Sequence, residues 1–259
     1  MPREETRTTR LINKLGQDLE STGLATAGRS LVAMPDNFYK MANLAGLIAQ
    51  NPQLSDRLGR YPAFLSLLER DDLKQLAESQ DFSSAWSSHA PMAQLLNEPS
   101  AKSILQNNEL MDVVWVTVQT NLDDLLAYLK TGKSPKYGAE AILGRWDFNV
   151  STTVAMLRQS RPNISATEMR VIRAVWSQGF ADTKFIAAGD GQAFLKNFPN
   201  FKKQPPEPEY WKGSWSAVGT NYDLTLTCNG ESRAMSAQTS EARLTLKDEN
   251  YTLIFDRED

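Results

Sequence analysis

The chain has 259 residues, 28 basic against 31 acidic side chains for a net charge of −3, one cysteine and one histidine. That length suggests one large or two ordinary domains, each able to bury a core, and charge this evenly mixed lacks the basic footprint of a nucleic-acid binder. A lone Cys228 excludes an intramolecular disulfide, and no apolar run approaches the roughly 20 residues that span a bilayer.

Residues 1–8 are polar and charged, and read as disordered or as a junction. From Thr9, the residues Leu11, Ile12, Leu15 and Leu19 share one helical face, with a stop near Ser21–Gly23. Leu24–Met34 is rich in small apolar residues and halts at Pro35; Asp36 then caps a helix bearing Phe38, Tyr39, Met41, Leu44, Leu47 and Ile48.

Between Asn51 and Trp115 one phrase repeats: a polar or proline breaker, then two or three apolar residues at helical spacing. Asn51-Pro52, Tyr61-Pro62, Asp71-Asp72, Gln80-Asp81, Ala90-Pro91, Glu98-Pro99 and Asn107-Asn108-Glu109 are the breakers. Proline fits only the first turn of a helix, and Asn, Asp and Ser cap the next start, so the spacing allows about two turns before each reset. Helices that short persist only by packing on one another. The phrase predicts a compact helical array whose apolar faces either fill each other or leave a groove for a partner's apolar helix. The last helix is longer, from Leu110 to Leu129, with Gly132 as its C-cap.

Residues 132–140 read as a linker, and composition changes beyond it. Gly144–Asn149 alternates like a half-buried strand. Two helices come next, one over Ser151–Gln159 and one starting at the Ser165/Glu168 capping box, with Met169, Ile172, Val175 and Trp176 expected inward. Candidate strands are Thr183–Ala187, Ala193–Phe198, Tyr210–Val218, Tyr222–Cys228, Arg233–Gln238, Arg243–Leu246 and Tyr251–Asp256, with turns at Asp190-Gly191 and Asn229-Gly230 among others. The domain reading is therefore a helical short-repeat domain over 9–131, a linker over 132–140 and an antiparallel sheet with two helices over 141–259.

Gly144-Arg145-Trp146 and Gly213-Ser214-Trp215 each present a Gly-x-Trp entering a strand, which is similar to the motif opening lipocalin-like sheets. That resemblance implies tryptophans packing across the closed end of a barrel, glycines allowing close backbone approach, and a small apolar ligand in the sheet with Trp146 and Trp215 at its site. The fold class is then α+β, an all-helical array followed by a lipocalin-like antiparallel β-meander with two helices.

Chemistry-bearing patterns are sparse. His89 stands at a helix boundary before Ala90-Pro91, and Cys228 reads as a small buried apolar residue in a strand. Zinc would need ligands the chain cannot assemble without carboxylates. Thr131-Gly132-Lys133-Ser134 lacks the upstream glycine of a phosphate loop, and Asp71/Asp72 and Asp123/Asp124 sit at helix starts or on solvated faces. The expectation is a non-catalytic protein without cofactor or metal, binding a protein partner or apolar helix through Phe64, Leu68, Phe82, Trp86, Leu95 and Leu96.

Two further resemblances bear on this. Asn51-Pro52-Gln53-Leu54 and Asn97-Glu98-Pro99 resemble the Asp-Pro-type helical repeats of stress-inducible co-chaperones, which implies a groove for apolar client segments. The order of helical region, repeats, Tyr128–Tyr137, Ile142–Phe148 and Phe255-Asp256-Arg257-Glu258 is similar to soluble C-terminal regions of some bacterial colicin V production family membrane proteins. That implies an accessory module at the bacterial inner membrane, tethered through an upstream segment; it supplies no catalytic residues.

Overall fold

The computed structural model describes residues 40–258 apart from 41–42, 45, 49–50, 52–53, 89, 91, 204, 241 and 250. Residues 1–8, the helix expected over 9–21, the stretch 24–34, Phe38, Tyr39 and Met41 of the helix expected after Asp36, the breaker residues Pro52 and Pro91, and His89 therefore lie outside the described residues. The chain divides into two compact units between Lys136 and Tyr137.

In the first unit the breakers at Tyr61-Pro62, Asp71-Asp72, Gln80-Asp81, Glu98-Pro99 and Asn107-Asn108 act as the sequence suggests, each standing at a helix start. Helices α1 (Leu54–Gly59), α2 (Leu65–Leu68), α3 (Asp71–Glu78), α4 (Gln80–Ser87), α5 (Met92–Asn97) and α6 (Pro99–Gln106) span at most eight residues each. Pro62 starts the 3-10 turn that feeds α2, and Pro99 starts α6. The Ser79 hydroxyl caps α4 by accepting from Phe82 N–H, and the Asn107 side chain caps α7 (Asn108–Thr131) by accepting from Leu110 N–H. Gly132, at φ 76°, closes α7 in the left-handed region that a side chain disfavours.

Packing replaces what such short helices lack. Helix α3 lies against α4 and α6, α5 against α4 and α6, and α6 against α7. The long α7 buries Leu110, Leu122, Leu125 and Leu129. One carboxylate fixes the unit's end. Asp124 accepts from the Tyr61 and Ser134 hydroxyls, each at 2.6 Å, and from Lys136 N–H at 2.7 Å. Burial acts to raise its pKa, but those donors together outweigh it and hold Asp124 below the usual carboxylate range.

The second unit is a closed, lipocalin-like antiparallel meander of eight strands. They are β1 (Gly144–Phe148), β2 (Lys184–Ala187), β3 (Gln192–Asn200), β4 (Glu207–Val218), β5 (Asn221–Cys228), β6 (Glu231–Ser240), β7 (Arg243–Lys247) and β8 (Thr252–Arg257). Sequential neighbours pair, and β1 pairs β8 through Trp146↔Arg257 to Phe148↔Phe255, so the meander shuts on itself. Alternate residues point inward: Tyr222, Leu224 and Leu226 on β5, Met235 and Ala237 on β6, and Leu244 and Leu246 on β7 are all buried. With Trp146, Phe185, Leu195, Leu253 and Phe255 they fill the interior. An eight-stranded barrel is just wide enough for that.

Both Gly-x-Trp glycines have a steric reason. A Cβ on Gly213 would lie 1.8 Å from the Thr225 carbonyl oxygen, and Gly144, at φ 130°, would meet the Arg257 guanidinium at 3.0 Å. Trp146 is fully buried, its indole N–H donating to Ile142 O at 2.8 Å. Arg257 stacks 4.3 Å above that ring and donates to Leu143 O and Ala141 O. Burial pushes the Arg257 guanidinium below its usual pKa. Together with the buried Ile142 and Leu143, this group seals the barrel at the Gly144 end of β1.

Helices α8 (Val150–Ser160) and α9 (Ala166–Gly179) join β1 to β2 at the opposite end. The Ser165/Glu168 capping box forms as its spacing predicts. Thr153 on α8 is buried, accepts from Ile254 N–H and so pins the helix to β8. Helix α9 sits more shallowly than expected. Met169, Ile172 and Trp176 are partly covered, but Val175 is 44% exposed, because it lies on the flank of the arc that those three define.

Candidate functional site

The end of the barrel that receives α8 and α9 is not sealed flush. A β-bulge interrupts β3 between Leu195 and Phe198, with Asn197 at φ 53°. Thr183 donates to Asn197 O at 2.8 Å, and the Asn197 amide donates to Asp182 O at 3.0 Å, so the bulge is tied down on both sides. Inserting one residue re-aims the side chains beyond it. Ala193 and Leu195 point inward before the bulge; Phe198 and Asn200 turn toward the mouth after it.

There a cleft of about 230 Å³ opens, walled by Phe198, Phe201, Trp211 and Tyr251 and edged by Asn200, Lys202, Glu209, Glu231 and Arg233. Phe180, fully buried at the end of α9, braces it by packing on Phe198 and Phe201 with ring centroids 5.6 Å away in each case.

Arg233 is the centre of this cleft. Strand alternation puts it on the inward face with Met235 and Ala237, one layer above the apolar filling. Its guanidinium reaches across the mouth to lie 5.0 Å from the Phe198 ring centroid and 4.9 Å from that of Trp211. Nη1 donates to Oδ2 of Asp248 at 2.8 Å, and Asp248, whose side chain is only 4% exposed, accepts from Tyr251 N–H through Oδ1. Neighbouring carboxylates are likewise engaged. Glu209 accepts from the Asn200 amide at 2.7 Å and from the Trp211 indole at 3.1 Å, while Glu231 pairs with Lys202 at 3.0 Å. Cys228, expected to be buried, is only partly so; desolvation, with Glu209 and Glu231 adding, pushes its thiol pKa up. It therefore stays protonated and inert at neutral pH.

The two tryptophans predicted to touch a ligand sit elsewhere. Trp146 belongs to the sealed end, and Trp215 donates its indole N–H to Ala188 O at 2.9 Å and packs edge-on to Tyr222. Neither lines the cleft. Arg233 and Trp211 were missed by sequence reasoning, although period-two alternation already set Arg233 in phase with Met235. An inward arginine in a strand was the available signal.

In the first unit, Leu95 is buried, and Phe64, Leu68, Phe82 and Leu96 are partly covered. Trp86 is 44% exposed and stacks on Phe82, centroids 6.0 Å apart and planes at 25°. The helices thus consume most of this apolar surface among themselves and leave the Phe82–Trp86 pair outermost. Among the described residues no cluster of His, Cys, Asp and Glu could hold a metal ion, and no helix is long and apolar enough to cross a membrane.

No family model matches the chain, and no curated protein matches it.

Proposed function

We propose that this is a non-catalytic binding protein whose barrel takes a small ligand at its mouth. The observation that carries this is the cleft around Arg233, where the bulge on β3 opens a lined hollow above a filled core. At about 230 Å³ it falls below the roughly 300–1,000 Å³ of pockets for drug-sized molecules, so its ligand is smaller than those. The site differs from an interior carrier of apolar cargo, because the inward side chains already fill the barrel. A fragment screen by ¹⁵N–¹H NMR tests the proposal. Binding is expected to move the Trp211 indole resonance; a screen in which no fragment moves it refutes the proposal.

A second reading concerns the helical unit. A large aromatic left half-exposed is a favourable anchor for a partner, and Trp86, stacked on the partly covered Phe82, is such a side chain. In this proposal the array binds an apolar helical segment, with the barrel as a companion module, and the whole is tethered at a bacterial inner membrane as the colicin V production resemblance implies. Calorimetric titration with apolar helical peptides tests the first part. Transmembrane helices encoded in frame upstream would support the second, and their absence would remove it.

A further inference from the structure

We infer that the mouth cleft selects a small planar monocarboxylate, bound through the outer edge of the Arg233 guanidinium. This rests on the reading of the cleft as a ligand site and goes on to name the ligand's chemistry.

The first ground is the balance of donors and acceptors. An arginine carries five N–H groups in a planar fork. Asp248 takes one from Nη1, and among the described residues no other acceptor takes those on Nε and Nη2. The carboxylates around it are all engaged: Asp248 by Arg233 and Tyr251 N–H, Glu209 by Asn200 and Trp211, Glu231 by Lys202. The cleft therefore has directional donors to offer, whereas each of its carboxylates already has a partner. A ligand bearing acceptors fits that imbalance, and a carboxylate matches the fork bidentately.

The second ground is preorganisation. Stacked on Phe198 and Trp211 and tied to a nearly inaccessible Asp248, the guanidinium is held before any ligand arrives. A side chain already fixed loses little entropy on binding. The third ground is charge. Lys202 and Arg233 are outnumbered by Glu209, Glu231 and the Asp248 paired with Arg233, so no net positive field exists to hold a dianion, and a phosphate would face both glutamates. A single negative charge meeting a fixed fork is the better match. Finally, the Phe198, Phe201, Trp211 and Tyr251 walls favour a flat, apolar body beside that charge.

The experiment uses the full chain and three fragments of one shape and different charge: benzoate, benzamide and benzylamine. The chain's six tryptophan indole resonances are followed by ¹⁵N–¹H NMR. The expected result is that benzoate moves the Trp211 indole saturably and binds at least tenfold more tightly than either of the others. Arg233→Lys, which keeps the charge but removes the fork, is expected to abolish that preference. Equal binding of all three to the native chain overturns the carboxylate assignment while leaving the ligand site standing, and needs no variant to fold. If none of the three, and no other fragment, moves the Trp211 indole, the site reading itself fails and the assignment with it.

Discussion

Replacing Gly213 with alanine should break the barrel at one identifiable seam. Gly213 pairs with Leu226 across β4 and β5, and an added Cβ would lie 1.8 Å from Thr225 O, 2.8 Å from Thr225 C and 3.0 Å from Leu226 Cα. All three obstacles are backbone, so no rotamer change relieves them. Carbon and oxygen rest about 3.3–3.6 Å apart, so the strands must part by roughly 1.5 Å. Two ladder hydrogen bonds strained that far forfeit about 0.5–1.5 kcal/mol each, and overpacking adds about 1–3 kcal/mol. The usual gain of about 0.4–1 kcal/mol for Gly→Ala in the unfolded chain offsets only a small part. The net loss is about 2–5 kcal/mol, which at about 2–8 °C per kcal/mol lowers Tm by at least about 4 °C and by as much as about 40 °C. Near-UV circular dichroism of the full chain against temperature measures this. Gly59→Ala serves as the control, because among the described residues no atom beyond its own helix turn and chain neighbours lies within 4 Å of its Cβ position. Gly213→Ala melting together with the native chain would mean that β4 and β5 do not approach as described.

Arg257→Leu removes two hydrogen bonds to carbonyls and a ring contact; charged hydrogen bonds are worth about 1.5–3 kcal/mol each, so a large fall in Tm is expected, partly restored by Arg257→Lys. Asp124 has a folded pKa below its unfolded one, so its stabilisation is complete above the unfolded value of about 3.9 and is lost as pH falls through the folded value. Urea titrations of Asp124→Asn should accordingly lose stability at neutral pH and show a flatter acid limb than the native chain; an unchanged acid limb would dismiss the triple hydrogen bond as the cause. Trp86→Ala should change Tm little, since the side chain is 44% exposed, while weakening capture of an apolar helical peptide. Ser165→Ala should lower stability by about 1 kcal/mol through loss of the cap on α9, read from urea midpoints.

Local chemistry made much of this architecture legible. Prolines 62 and 99, Ser79 and Asn107 announce helix starts, Gly132 announces a stop, and Asn229-Gly230 announces a hairpin whose two residues do adopt positive φ. The hidden features depend on partners far away in sequence. Closure requires Phe148 to meet Phe255, which no local pattern records. The β3 bulge hides because Asn197 looks like an ordinary strand residue until Thr183 and Asp182 are seen to hold it. Val175 was misplaced because a helix resting on a curved surface buries a narrower stripe than its composition suggests. The cleft was illegible for the same reason as closure: its aromatic walls come from β3, β4 and the β7–β8 turn, and only the finished barrel gathers them around Arg233.

The β1–β8 seam also fixes an order of events. Asn149 and Asp256, which bond beside that seam, are 107 positions apart, so nothing in the barrel can pair with the free side of β1 until β8 has left the ribosome. Until then the nascent sheet carries two raw edges, each a template for a neighbouring chain. Closure therefore waits on the strand made last, and a chain stalled before Thr252 would be a seed for aggregation.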